Sequence, residues 1–265
     1  AVYLHDVRID GVGGQEEKLL DVGSISLKCS TIGLLTGNYN FTAISINNGS
    51  LFVYKDKNGN VNYDIFKSTG EEESDNSDLN LTISNATLSN VTIHYVDEIV
   101  AYDMKINAKS AFFEGDFIIN NELNQNKHTM TSYAELHSEY IRIGETTYFR
   151  SKDFAYDGAV DLDLEREQYT FEQIKLYLQG NEFEVDGTIV KVSKGIEYNI
   201  VFESEHAFLG SMMQLVPHQF TSTLGQLESN GNLTFNARIN GLSSTESTAI
   251  IEINFGLKNG RVTHP

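Results

Sequence analysis

Apolar and polar residues alternate along most of the chain. Val2 and Leu4, then Val7 and Ile9; Ile25, Leu27 and Cys29; Leu79, Leu81 and Ile83; Val91, Ile93 and Tyr95; and Tyr102, Met104, Ile106 and Ala108 all repeat with period two. The pattern resumes at Ile174, Leu176 and Leu178; Tyr198, Ile200 and Phe202; Leu233, Phe235, Ala237 and Ile239; and Ile251, Ile253, Phe255 and Leu257. Such spacing puts one set of side chains on a buried sheet face and the other in water. Among the runs stand Asn48-Gly49, Asn58-Gly59, Gly180-Asn181, Asp186-Gly187, Asn230-Gly231, Asn240-Gly241 and Asn259-Gly260. These pairs accept the positive φ of tight hairpins, so consecutive runs are expected to be antiparallel neighbours. A dozen or more short strands at spacings of about ten residues predict a mainly β protein. Its long antiparallel meander is expected to curl into a groove or open barrel, because wide sheets seldom stay flat.

One stretch breaks the alternation. In FLGSMMQLVPHQFTSTLGQLESNG, residues 208–231, Leu209, Met212, Met213, Val216, Phe220, Leu224 and Leu227 fall three or four apart, on one face of a helix. Pro217 cannot donate a backbone hydrogen bond, which predicts a kinked amphipathic helix pair near residues 205–228, with Pro217 opening the second helix and Gly231 stopping it. The face of Leu209, Met212, Met213, Val216 and Phe220 is expected to cap an apolar opening at one end of the sheet. Insertion into a membrane interface is the competing reading, against which stands the lack of Lys and Arg in the stretch.

Two polar breaks organise the rest: EEESDNSD over residues 71–78, and NNELNQNKHTMTS over 120–132. The first predicts a β unit over residues 1–70, an acidic loop over 71–78, and a second β unit with its helical cap over 79–265. Neither break is long enough for a free linker, so one continuous domain is expected. With 265 residues the chain can bury roughly 70% of its unfolded surface.

Charge narrows the partners. The 19 Lys and Arg residues against 37 Asp and Glu give a net charge of −18, which opposes nucleic acid and anionic lipid surfaces. The lone Cys29 has no partner for an internal disulfide and alternates like a small buried hydrophobe. No charged start followed by an apolar run marks a signal peptide, and no apolar run is long enough to span a bilayer.

Candidate chemistry is sparse. The 7 histidines form no metal-spaced pair, so no metal and no cofactor are expected. DKNGN, residues 56–60, departs from a calcium loop because Gly59 falls too early and Lys67 stands where the closing Glu belongs; a hairpin turn explains it better. Asp161, Asp163 and Glu165 of DLDLERE share one strand face, whereas paired glycosidase carboxylates come from opposed walls. Neither a nucleophile elbow, a P-loop nor a dinucleotide fingerprint occurs, and no catalytic residue is assigned. Sequons at Asn40, Asn48, Asn80, Asn85, Asn90 and Asn232 follow from an Asn- and Thr-rich composition.

Several stretches together resemble the AsmA family of bacterial envelope proteins (AsmA/TamB-like), especially its Bacteroidetes versions. ISINNGSLFVYKDKNGNVNYDIF, residues 44–66, is similar to the family's strand, hairpin and D-x-x-G-x-x-N element, with Asp56, Gly59 and Asn62 in register. LTISNATLSNVTIHYVD, residues 81–97, is similar to the strand pair ending in Tyr-x-Asp, here Tyr95 and Asp97. The third stretch runs from FEVDGTIV through AFLGSMMQLVPHQF to GQLESNGNLTFNARINGL and INFGLKNGRV. The resemblance implies a non-enzymatic periplasmic β-groove module, tethered to the inner membrane in a longer parent protein. It also implies outer-membrane assembly or lipid transport as the role, with phospholipid or another envelope lipid as partner. This chain lacks the family's anchor and is expected to be an excised periplasmic portion. Other classes stay open: a carbohydrate-binding or adhesin-like β-sandwich, weakly supported by the Tyr and Asn content, and a purely structural interaction module with a filled core.

Overall fold

The computed structural model describes residues 1–29, 41–65, 81–119, 127–208, 228–244 and 247–263. The protein is mainly β. The described strands are β1 (Val2–Ile9), β2 (Leu20–Cys29), β3 (Phe41–Lys55), β4 (Leu81–Asp97), β5 (Tyr102–Ile119), β6 (Lys127–Ile143), β7 (Thr146–Tyr148), β8 (Lys152–Asp163), β9 (Gln168–Leu178), β10 (Asn181–Val192), β11 (Gly195–Ala207), β12 (Glu228–Ser243) and β13 (Ile250–Thr263). They follow chain order in a 13-stranded sheet, with β7 paired off the path to β6. Contacts divide the chain into two compact units, Ala1–Asn124 with Ala134–Lys152, and Gln125–Tyr133 with Asp153–Pro265.

Three expectations need correction. The strands are long, 17 residues in β4 and 18 in β5, because most of the Asn-Gly and Asp-Gly pairs do not end them. Asn48-Gly49 lies inside β3, Asp186-Gly187 inside β10, and Asn230-Gly231 inside β12 at a register shift against β13. Only Asn58-Gly59 and Gly180-Asn181 fall at chain reversals. Secondly, β3 and β4 are parallel, from Ala43↔Asn85 to Lys55↔Asp97. Parallel neighbours need a crossover longer than a hairpin, and the chain between Lys55 and Leu81 supplies it. Thirdly, no helix occurs among the described residues, and the margins of the expected helix pair are strand: Ala207 is buried and pairs with Leu233, and Glu228 pairs with Thr263. The cap residues Leu209, Met212, Met213, Val216, Pro217 and Phe220 lie outside the described residues, as do Leu224, Leu227 and the acidic loop 71–78.

In the first unit every strand from β1 to β5 changes phase at one shared row. Val2 and Leu4 give way to Val7 and Ile9; in β2, Leu20 and Val22 give way to Ile25 and Leu27; in β3, Ile44 and Ile46 give way to Leu51 and Val53. β4 switches between Leu88 and Val91, and β5 between Ala108 and Ala111. The switches fall in one transverse row. The flanking pairs His5↔Ser24 and Val7↔Val22, Ser24↔Asn47 and Val22↔Gly49, then Asn47↔Ser89 and Gly49↔Val91, align Asp6, Gly23, Asn48 and Asn90. Asp6, Asn48 and Asn90 have φ of 51°, 56° and 52°. An inserted residue in the left-handed region turns the chain so that the next apolar side chain stays on its original face. Because neighbouring strands carry the insertion at the same row, the pairing around it continues. Leu20, Val22 and Ile25 therefore share one core with Val7, Ile9, Leu27, Ile44, Ile46 and Leu51, although they stand on both sides of the crease.

The second unit creases differently. Among β8, β9 and β10 the extra residue lies on β9, against both neighbours. Gln173, at φ 52°, is that residue, and its backbone N–H donates to Asp186 Oδ1 at 2.9 Å. Thus Tyr169 and Phe171 share a face with Ile174, Leu176 and Leu178 despite the odd spacing.

Candidate functional site

One face of the second unit is apolar across all six of its strands from β8 to β13. Val160 pairs with Phe171, Phe183 with Leu176, Ile189 with Tyr198, Phe202 with Ala237, and Phe235 with Phe255. The opposite face carries Asp157, Asp161, Glu172, Glu182, Glu184, Asp186, Glu203 and Arg238, which accounts for its solvation.

The apolar face bends inward locally. Phe183 on β10 and Phe235 on β12 meet edge to face at 5.6 Å between centroids although β11 runs between them. Two flat inter-strand steps would hold the backbones about 9.5 Å apart. Ser204, the β11 partner of Phe235, is small enough for the rings to close above it. Phe235 then meets Phe255 on β13 at 5.5 Å. Burial falls along this aromatic row: Phe183 is 3% exposed and Phe255 59%. Ile251 and Ile253, beside Phe255 on the same face, are also exposed. The apolar face is buried around Ile174, Phe183 and Ile200 and open at β13. Only burial pushes the Tyr198 phenol above the ordinary tyrosine range, consistent with its place on this face.

The residues singled out by the D-x-x-G-x-x-N and Tyr-x-Asp resemblance have structural work. Asp56 Oδ1 accepts the backbone N–H groups of Asn58 and Asn60 at 2.8 Å, and Asn60 Nδ2 donates to its Oδ2. The Asn60 side-chain bond, opposed by some desolvation, holds the Asp56 carboxyl below the usual carboxylate range. Gly59 takes φ 85° in the turn. Asn62 is buried and acts as a piece of backbone: Oδ1 accepts the Tyr54 N–H at 2.9 Å and Nδ2 donates to the Phe52 carbonyl at 2.8 Å. Asp97 is buried; its Oδ1 accepts the Ile99 N–H at 2.9 Å, and its Oδ2 lies 3.4 Å from Lys55 Nζ. Residues 56–60 thus form the turn that the Asn58-Gly59 pair predicts.

His94 sits between two carboxylates. Nδ1 lies 3.0 Å from Glu17 Oε2 and Nε2 lies 3.3 Å from Asp103 Oδ1, while the ring packs on Phe52 at 4.9 Å. Asp103 is also held by Arg142 at 2.8 Å. Burial, then the bond to Asp103, raises the Tyr140 phenol above its ordinary range. Sequence reasoning missed this cluster, whose members come from separate runs and share no motif.

In the second unit a polar cleft of about 450 Å³ is lined by Lys127, His128, Asp161, Asp163, Arg166 and Glu172 among others. Two of its carboxylates are engaged: Thr129 donates to Asp161 at 2.6 Å, and Asp163 lies 3.7 Å from Lys127 and 3.9 Å from Arg166. The DLDLERE acids thus serve ion pairs and hydrogen bonds. No group of three or more metal-binding side chains occurs among the described residues, and no described helix is long and apolar enough to cross a membrane. Comparison of the chain with protein-family models, curated proteins and solved structures finds no match.

Proposed function

We propose that this protein is a non-enzymatic lipid-binding β-groove module of the AsmA type, working in the periplasm from a parent tethered to the inner membrane. Its role would be lipid transport or outer-membrane assembly. The observation that carries the reading is the aromatic row from Phe183 through Phe235 to the half-open Phe255. A strip of apolar face open at one margin suits an acyl chain, whose transfer from water is favourable by about 0.8 kcal/mol per CH₂. Lipid binding here needs no cationic site, which suits a chain of net charge −18.

The test is organic extraction of the protein purified from a bacterial host without detergent, followed by lipid mass spectrometry. Co-purified phospholipid at a fixed ratio to protein is expected. Recovery of none, together with no uptake of a fluorescent fatty acid, would reduce the molecule to a structural interaction module.

A further inference from the structure

We propose that the turns at one end of the first unit form a membrane-docking tip, which inserts apolar side chains into the head-group region of a zwitterionic bilayer. The tip is independent of the groove, whose apolar face lies in the second unit. β1, β3 and β4 all run toward this end, and backbone hydrogen bonds tie its turns together. The Val12 N–H donates to the Asn62 carbonyl at 2.9 Å, the Glu98 N–H to the Lys55 carbonyl at 3.0 Å, and the Gly144 N–H to the Ala101 carbonyl at 2.8 Å. On these joined turns Val12, Tyr63, Ile99, Val100 and Ile143 are 48–57% exposed. Outside β1, every exposed large apolar side chain described in the first unit stands at this end.

The turn over residues 98–101 is built for an apolar medium. Exposed turns ordinarily take Gly, Asn or Asp, whereas Ile99 and Val100 occupy this tip. Its peptide groups are satisfied from within the protein. Buried Asp97 accepts the N–H of Ile99 at 2.9 Å and that of Val100 at 3.4 Å through Oδ1, beside the bonds made by the Glu98 N–H and the Ala101 carbonyl. Water serves such groups at an ordinary exposed turn, but a lipid phase requires internal partners. The nearby charges are held back as well: Lys55 Nζ lies 3.4 Å from Asp97 Oδ2, and the Glu98 carboxylate hydrogen-bonds the Tyr54 phenol. Tyr63 adds an amphipathic ring of the kind that settles at head-group level. Apolar side chains standing singly on separate turns suit wedging between lipid head groups, where affinity follows the apolar area buried. The net charge of −18 then selects a zwitterionic surface over an anionic one.

The chain contains no Trp, so a single Trp placed on the tip is an unambiguous reporter. With folding established by circular dichroism, Val100→Trp emission should shift to the blue on adding phosphatidylcholine vesicles and be quenched by brominated acyl chains. Leu164→Trp is the control: Leu164 is equally exposed at 57%, but on a turn of the second unit between Asp163 and Glu165, and its emission should not move. Ile99→Ser combined with Val100→Ser should lower partitioning into the same vesicles about tenfold by flotation, while Phe255→Ala floats like the parent. Phosphatidylglycerol in the vesicles should weaken binding at low salt. An unmoved Val100→Trp emission overturns the proposal, as does an equal shift in Leu164→Trp. So does flotation lost in Phe255→Ala and kept in the combined Ile99 and Val100 variant, or tighter binding to the phosphatidylglycerol vesicles. Lipid extraction reads the groove separately: a parent chain that floats yet yields no co-purified phospholipid would sink the groove and leave the tip standing.

Discussion

Asn90 Nδ2 donates to Asn48 Oδ1 at 3.2 Å across the parallel β3–β4 pair, and both residues hold positive φ. The two side chains meet because each strand inserts its extra residue at the same row. The amide–amide bond ties neighbouring creases together, and Asn is the side chain that best tolerates the left-handed region outside Gly. Apolar residues on both sides of the row therefore reach one core.

Asn48→Ala should cost about 1–2 kcal/mol, from the left-handed backbone and the lost amide bond together. Asn48→Gly should lose less, because Gly keeps the backbone conformation at no steric cost. Urea unfolding at unchanged slope measures both. If Gly were the more damaging of the two, the backbone would not be what Asn48 supplies.

Gly49 follows for a different reason. A Cβ there would lie 2.0 Å from the Asp21 carbonyl oxygen, where β2 crosses close. Gly49→Ala must push two backbones apart and should fall in the exceptional class of losses, above about 4 kcal/mol. Gly14 meets nothing within 4 Å, so Gly14→Ala shows only the cost of its φ of +72°. Equal melting temperatures for the two variants would refute the close approach.

The crease explains what the sequence did and did not disclose. Period two in each run was visible, and so was the jump from Leu4 to Val7. What could not be read was that jumps in separate runs align, because alignment depends on strand register. Asn-Gly carries the same local preference for positive φ in a hairpin and in a bulge, so Asn48-Gly49 looked like an end and is a bend. Alternation is equally blind to strand direction, which hid the parallel β3–β4 pair. The aromatic row was legible only as members: Phe235 and Phe255 each alternated correctly, but nothing local marks Ser204 as the gap that lets Phe183 reach Phe235. Glu17 and His94 are 77 residues apart, beyond any local pattern.

Asn62→Ala should be among the costliest polar substitutions. It strands the Tyr54 N–H and the Phe52 carbonyl beside a buried site. Two unsatisfied groups at about 1–3 kcal/mol each give a loss of about 2–6 kcal/mol. Loss of hydrogen-exchange protection at Tyr54 is the specific readout, and unchanged protection there would count against the backbone-like role of Asn62.

Asp56 supplies a pH test. Its carboxyl is held below the ordinary range chiefly by the Asn60 side chain. A depressed native pKa means the contribution is present above the unfolded value of about 3.9 and is lost as pH falls through the native one. The turn at residues 56–60 should therefore loosen only in strong acid. Asn60→Ala should bring the Asp56 titration, followed by carboxyl carbon NMR, back toward the ordinary value, and a titration unmoved by that change would assign the shift elsewhere.

The aromatic row separates core from candidate lipid surface. Phe183 is 3% exposed and packs edge to face on Phe235, so Phe183→Ala should cost about 3–5 kcal/mol. Phe255 belongs to the same row at 59% exposure, and Phe255→Ala should cost less than about 1 kcal/mol, because most of the ring has no contacts to lose. The two variants should diverge in the opposite sense when lipid is assayed. Phe255→Ala keeps the fold and should lower the phospholipid recovered per protein, since it removes exposed apolar surface from the proposed lipid strip. A Phe255→Ala protein as stable as the parent and as rich in phospholipid would place the acyl chain away from β13.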